Sequence, residues 1–314
     1  MTSPFLSKRN PVCPPELLAR AARSGPARVA IARAGAPLPM QAAFEATAAA
    51  LMIPVFIGER AAIEHEAAAL DWDISNFELI ETVGEAAAGA AAAALCGDGG
   101  ADVLMKGQLH TDVFMKAALD RNAGLRTGRR FVHIFHISHP DGGRPIVLSD
   151  AAINVRPDIE TRRGAILSVV AVLNALGNDR PKIALLSATE LPLPSVPSAL
   201  EARALADWAR VNVPGAHVSG PLALDLILSP EAARIKGLTG DPVAGHADGI
   251  IVPDVVSGNV LFKSLVYLTG ACAAGVVLGG RVPLLVTSRA DPPAARLASV
   301  ALAAIIAGNA DKGQ

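Results

Sequence analysis

Thr287-Ser288-Arg289-Ala290-Asp291 sets a hydroxyl, a guanidinium and a carboxylate within one short segment. The apolar run 282–286 before it reads as a strand, so the segment falls at a strand's carboxyl end, where open α/β sheets bind ligands. Together these groups offer a hydrogen-bond donor, an anion clamp and a base. Asp291 ahead of Pro292 equally suits a helix N-cap followed by proline at the first helical position, and the two roles are compatible. A second constellation follows the strand at 249–252: Pro253-Asp254-Val255-Val256-Ser257-Gly258-Asn259 leads into a helical 260–268. Free backbone N–H groups at Gly258 and Asn259 would suit a phosphate, whereas the plainer reading has Ser257 or Asn259 capping the helix.

Two cations lie upstream, Lys116 and Arg144; each alone reads as a solvated charge, as do Arg129 and Arg130. His133, His136 and His139 have no cysteine or carboxylate at zinc-ligand spacing, so they are expected at strand edges or in loops, with no metal site. The glycines spell neither a dinucleotide fingerprint nor a phosphate loop, and a Gly-x-Ser-x-Gly elbow is absent.

Elements that could position these groups alternate along the chain. Strands are expected at 28–32, 54–58, 102–105, 182–186, 249–252, 276–278 and 284–286. Helices are expected at 40–52, 61–70, 85–95, 162–176, 199–211 and 292–307. The runs 131–137 and 145–148 flank a Pro-Asp-Gly-Gly turn and should pair antiparallel. Such alternation predicts an α/β fold, mostly parallel sheets with helices on both faces. The pattern restarts near residue 150, which divides the chain into 1–147 with 292–314, and 148–291.

At 51% hydrophobic but only 4% aromatic residues, the core must be built of alanine and branched aliphatics. The 28 basic and 29 acidic residues nearly cancel, which leaves no charge footprint for nucleic acid or an anionic membrane. Cys13, Cys96 and Cys272 show no metal or disulfide spacing, and with no targeting segment at the start they read as reduced thiols of a cytoplasmic protein.

From residue 102 onward the chain resembles the phosphate acetyltransferase and phosphate butyryltransferase family. The carriers are Ala247-Asp-Gly-Ile-Ile-Val-Pro-Asp254 with Gly258-Asn-Val-Leu-Phe-Lys263, and Val282-Pro-Leu-Leu-Val-Thr-Ser-Arg-Ala-Asp291. Residues 104–107, 111–119 and 144–150 match more loosely. The resemblance implies a two-domain α/β enzyme related in fold to isocitrate and isopropylmalate dehydrogenases, dimeric, with its site in the cleft between domains. It implies reversible transfer of a short acyl group between CoA and inorganic phosphate in a ternary complex, with CoA as substrate and no cofactor or metal. By the same resemblance Ser288 and Arg289 are catalytic, and Arg144 and Lys116 bind phosphate; Gly258 and Asn259 at the helix start, with Lys263, are also expected to bind phosphate or CoA. Lys116 stands where the family has a third arginine, which keeps the charge and loses the planar fork. The aspartate that acetyltransferase members carry seven positions beyond the serine is here Ala295; Asp291 fits the butyryltransferase-like branch and is the expected base. Competing readings are a dehydrogenase-like or acyl-phosphate enzyme of the same fold, and a CoA-binding module with little activity, which Ala295 and Lys116 keep open.

Overall fold

A computed structural model of the chain describes residues 3–286 and 290–310. It divides into two compact units, Pro11–Arg129 with Ala274–Gln314 (the terminal unit) and Met1–Asn10 with Arg130–Ala273 (the central unit). These boundaries fall earlier in the chain than the expected changes at 147/148 and 291/292. The physical reason for the first is strand pairing: the second strand of the antiparallel hairpin near residue 140 pairs with the strand that starts at Gly249.

The terminal unit opens with α1 (Pro15–Ser24), β1 (Ala27–Ala32), α2 (Pro37–Ala48), β2 (Met52–Gly58) and α3 (Arg60–Ala69). It continues through β3 (Glu78–Glu81), α4 (Glu85–Gly97), β4 (Val103–Lys106) and α5 (Thr111–Leu119). The central unit holds β5 (Val132–Ser138), β6 (Ile146–Ser149), α6 (Ile159–Ala175), β7 (Lys182–Leu186), α7 (Pro197–Asn212) and β8 (His217–Leu222). After these come α8 (Leu224–Leu228), α9 (Pro230–Ile235), β9 (Gly249–Ile251) and α10 (Val255–Thr269). The last elements, β10 (Cys272–Leu278), β11 (Leu284–Leu285) and α11 (Pro293–Ala310), complete the terminal unit.

In the terminal unit the strand order is β3-β2-β1-β4-β11-β10, parallel except for β10 against β11. Alanine is what allows its helices to sit close: α4 buries Ala88, Ala92, Ala93 and Cys96, and α11 buries Ala298, Ala301, Leu302 and Ile305. In the central unit the order is β5-β6-β9-β7-β8, with only β5 antiparallel. Leu148, Ala184, Leu222 and Ile250 form its core beneath α8, α9 and the inner face of α10. The fold is therefore the expected α/β one with mostly parallel strands. Elements missing from the expectation are α1, where Pro15 starts the helix, α5, the edge strands β3 and β8, and the short α8 and α9.

His133 and His136 differ from the expectation too: both lie buried within β5, not in a loop. The expected loop position holds for His139, whose Nδ1 accepts the Asp141 N–H. His133 stacks on Phe135, and Phe135 on Phe262, at 4.2 and 4.1 Å between ring centroids. Burial pushes both imidazoles down to about 4, with the Asp150 charge acting the other way on His133. The unfolded chain takes up these protons below about 6.5, whereas the folded chain refuses them until about 4. Stability should therefore fall as pH drops through that window. His136→Leu should flatten the slope of Tm against pH between 6.5 and 4; an unchanged slope in thermal melts would show that the ring is protonated in the fold.

Candidate active site

Parallel strands deliver their carboxyl ends to one edge, and in the terminal unit β1, β4 and β11 share that edge. Leu285 of β11 lies beside Met105 of β4, and Met105 beside Ile31 of β1. The exits of β1, β4 and β11 are thus neighbours. Ser288 and Arg289, with Thr287, lie outside the described residues; they follow β11 from this edge. The chain resumes at Ala290 and Asp291 and enters α11 one residue later than expected. The Ala295 and Arg296 N–H groups both donate to the Pro292 carbonyl, so Pro292 takes the cap position assigned to Asp291. The Asp291 carbonyl accepts from Arg296 Nη1 at 2.5 Å. Ala295 is buried in the first turn of α11.

The β4 exit is fixed by backbone contact. Gly107 N–H donates to Ala32 O at 2.9 Å and Gln108 N–H to Arg33 O at 2.8 Å. A Cβ at Gly107 would stand 2.4 Å from the Ala32 and Arg33 carbonyl oxygens, so only glycine permits this approach. Beyond it lies a charged network that the sequence did not announce. Arg33 Nη1 reaches Glu85 Oε1 at 3.2 Å and its Nη2 reaches Glu59 Oε1 at 3.4 Å. Glu85 Oε2 accepts both the His110 N–H and a contact from His110 Nδ1, each at 2.9 Å. Glu59 accepts from Gly84 N–H at 3.0 Å, which chiefly holds its carboxyl below the usual range; the His110 N–H does the same for Glu85. Lys116, on the α5 helix that starts after His110, is exposed and forms no ion pair among the described residues. A second unforeseen cation, Arg296, is buried and lines a cavity of about 20 Å³, room for one water, with Lys106 and Gln108.

In the central unit the sequence-derived set separates. Asp254 caps α10, its side chain accepting from Ser257 N–H at 2.9 Å, so neither Ser257 nor Asn259 is the cap. The Gly258 N–H already donates to Asp254 O at 3.2 Å and is not free for a phosphate. Gly258 is required for packing: a Cβ there would lie 2.6 Å from Asp150 O. Asn259 Nδ2 donates to Ala151 O at 3.2 Å, so both residues anchor the turn after β6. That turn is organised by buried Asp150, which accepts from the N–H groups of Ala152, Ile153 and Asn154. Lys263 is exposed on α10.

Arg144 is at the other edge of the sheet. It pairs with buried Asp248 at 3.1 Å, at the amino ends of β6 and β9, and Asp248 also accepts the Lys182 N–H that opens β7. The length of β6, roughly 20 Å from residue 144 to 150 at about 3.3 Å per residue, parts it from Asp150 and Gly258. Sequence spacing could not show this, because the strand direction decides it.

The sequence pattern of the phosphate acetyl/butaryl transferase family matches residues 83–304. The chain belongs to that family. It is 41% identical over 292 residues to the phosphate acetyltransferase of Rhizobium meliloti, spanning 93% of this chain and 92% of that one. Identity to the phosphate butyryltransferase of Clostridium acetobutylicum is 35% over 283 residues, 90% of this chain and 94% of the relative. The solved structure of a branched-chain phosphotransacylase from Enterococcus faecalis V583 is similar with a TM-score of 0.78 at 31% identity, covering 90% of this chain and 99% of that one. The matched span takes in Glu85, His110 and Lys116 and the strands β4 and β11.

Arg144→Ala should cost about 1 kcal/mol of stability, since Asp248 keeps only its backbone donor. The KM for phosphate should stay within about twofold. A tenfold rise in that KM with an unchanged melting temperature would make Arg144 a phosphate ligand.

Proposed function

We propose that the chain catalyses reversible transfer of a short acyl group between the sulfur of CoA and inorganic phosphate, forming an acyl phosphate. Similarity over nearly the whole chain to both a phosphate acetyltransferase and a phosphate butyryltransferase carries this reading. The register that makes the β4 and β11 exits neighbours supports it geometrically. In the phosphorolytic direction a phosphate oxygen attacks the thioester carbonyl, the C–O bond forms and the C–S bond breaks. Arg289 and Lys116 neutralise phosphate so that it can approach, and Ser288 donates to the developing oxyanion. No acyl-enzyme is needed. Cys13 and Cys96 do not suit one: burial pushes their thiols up to about 11 and about 12, and both are shielded from solvent.

On the same reading the enzyme is a cytoplasmic homodimer with CoA as substrate and no metal or organic cofactor. Lys263 is a cation for a CoA phosphate, and the Ser288-Arg-Ala-Asp291 form favours butyryl or similar chains over acetyl. Among the described residues, no helix is long and apolar enough to cross a membrane.

Free thiol should appear from butyryl-CoA only when phosphate or arsenate is present, and at the same rate in chelator. Complete loss in chelator, reversed by a divalent ion, would refute the metal-free mechanism, and higher kcat/KM for acetyl-CoA would refute the chain-length order. Arg289→Lys keeps a point charge and loses the bidentate fork. It should raise the KM for phosphate about tenfold or more while CoA affinity changes little; equal mild weakening of both would make Arg289 structural.

A further inference from the structure

We propose that His110 takes the proton from the CoA thiol, with Glu85 and Arg33 as the residues that position its ring. This rests on the acyl-CoA:phosphate reading above. One side of the imidazole is fixed: Nδ1 and the backbone N–H of His110 both meet Glu85 Oε2 at 2.9 Å, and Arg33 holds the other oxygen of that carboxylate at 3.2 Å. A carboxylate only accepts, so Nδ1 carries a hydrogen, and in the neutral ring the lone pair is then on Nε2. The His110 side chain is 78% exposed against 25% for Glu85, which leaves Nε2 facing outward from a braced ring. A base held by an orienting carboxylate is the arrangement that proton abstraction requires.

Its place in the fold agrees. His110 follows the carboxyl end of β4, the strand beside β11, and directly precedes the helix that carries Lys116. Arg33 has a φ of 56°, an uncommon conformation for a residue with a side chain, at the exit of β1 on the same edge. The Gly107 and Gln108 N–H bonds to Ala32 and Arg33 lock the β4 exit to that turn, so the brace on His110 is built into the backbone.

Chemistry favours an imidazole over Asp291. An ordinary carboxylate lies about 4.6 pK units below an ordinary thiol and an imidazole about 2, so the imidazole sustains a roughly 400-fold larger share of thiolate. The acetyltransferase carboxylate position is Ala295, buried in α11. In the step itself the S–H proton passes to His110 Nε2 and the thiolate attacks the carbonyl carbon of the acyl phosphate. The C–S bond forms, the bond from that carbon to the bridging phosphate oxygen breaks, phosphate leaves and the imidazolium returns its proton to solvent. In reverse the imidazolium protonates the departing thiolate.

The test starts with wild-type enzyme on butyryl phosphate and CoA; no thioester formation there would refute the proposed activity itself, not the role of His110. Given activity, His110→Ala should lower kcat at least 100-fold, with the KM of either substrate changed less than about threefold and melting unchanged. Added imidazole should restore part of the rate saturably. His110→Gln, which keeps a polar side chain at the head of α5, should be as slow. Near-normal kcat in both His110 variants, or a loss that imidazole does not relieve, would overturn the proposal.

Discussion

The backbone bonds from Gly107 and Gln108 to the carbonyls of Ala32 and Arg33 govern the terminal unit's carboxyl edge. They bring the exit of one strand across the exit of its neighbour at a distance that no Cβ allows. From there the chain must run toward α4 before turning into α5. That path puts the His110 N–H against the first helical residue of α4, Glu85, whose carboxylate satisfies a donor at the head of α5. Arg33, turned by its positive φ, can then face two carboxylates from different elements. The charges are neighbours because the backbone leaves them no other arrangement.

The central unit obeys a different constraint. Its turn after β6 starts from two buried residues, Asp150 and Ala151, whose polar groups need partners. Asp150 supplies acceptors for three successive N–H groups, and Asn259 supplies a donor for the Ala151 carbonyl. Helix α10 can approach this turn only because Gly258 has no side chain. A glycine and an asparagine at a strand-to-helix junction thus serve helix-to-turn packing where a phosphate cradle was expected. At the opposite edge, Asp248 links the amino ends of β6, β7 and β9 and draws Arg144 to it.

The fold was legible where composition and period agree. Val-Ile-Ala runs followed by alanine-rich stretches announced β1, β2, β7, α4 and α6, and the turn at Pro140-Asp-Gly-Gly143 announced the β5–β6 hairpin. Edge strands escaped notice because edges tolerate what interiors reject: β8 contains Gly220-Pro221, and β3 begins and ends in glutamate. Of the candidate site, the segment after β11 was legible because its groups are contiguous. The Arg33, Glu59, Glu85 and His110 network was not, since it joins exits of three strands and the starts of three helices, and only pairing order makes them adjacent. Arg144 shows the converse, a cation in a glycine-rich setting whose edge is fixed by the parallel pairing of β6 with β9.

The three cysteines have a practical consequence. All are buried, and for Cys13 and Cys96 burial also suppresses the thiolate. A colour-forming disulfide reagent consumes thiolate that it can reach. In the folded state it meets released CoA and finds no competing sulfur on the protein surface, so turnover can be followed continuously without background from the catalyst or its inactivation by the dye.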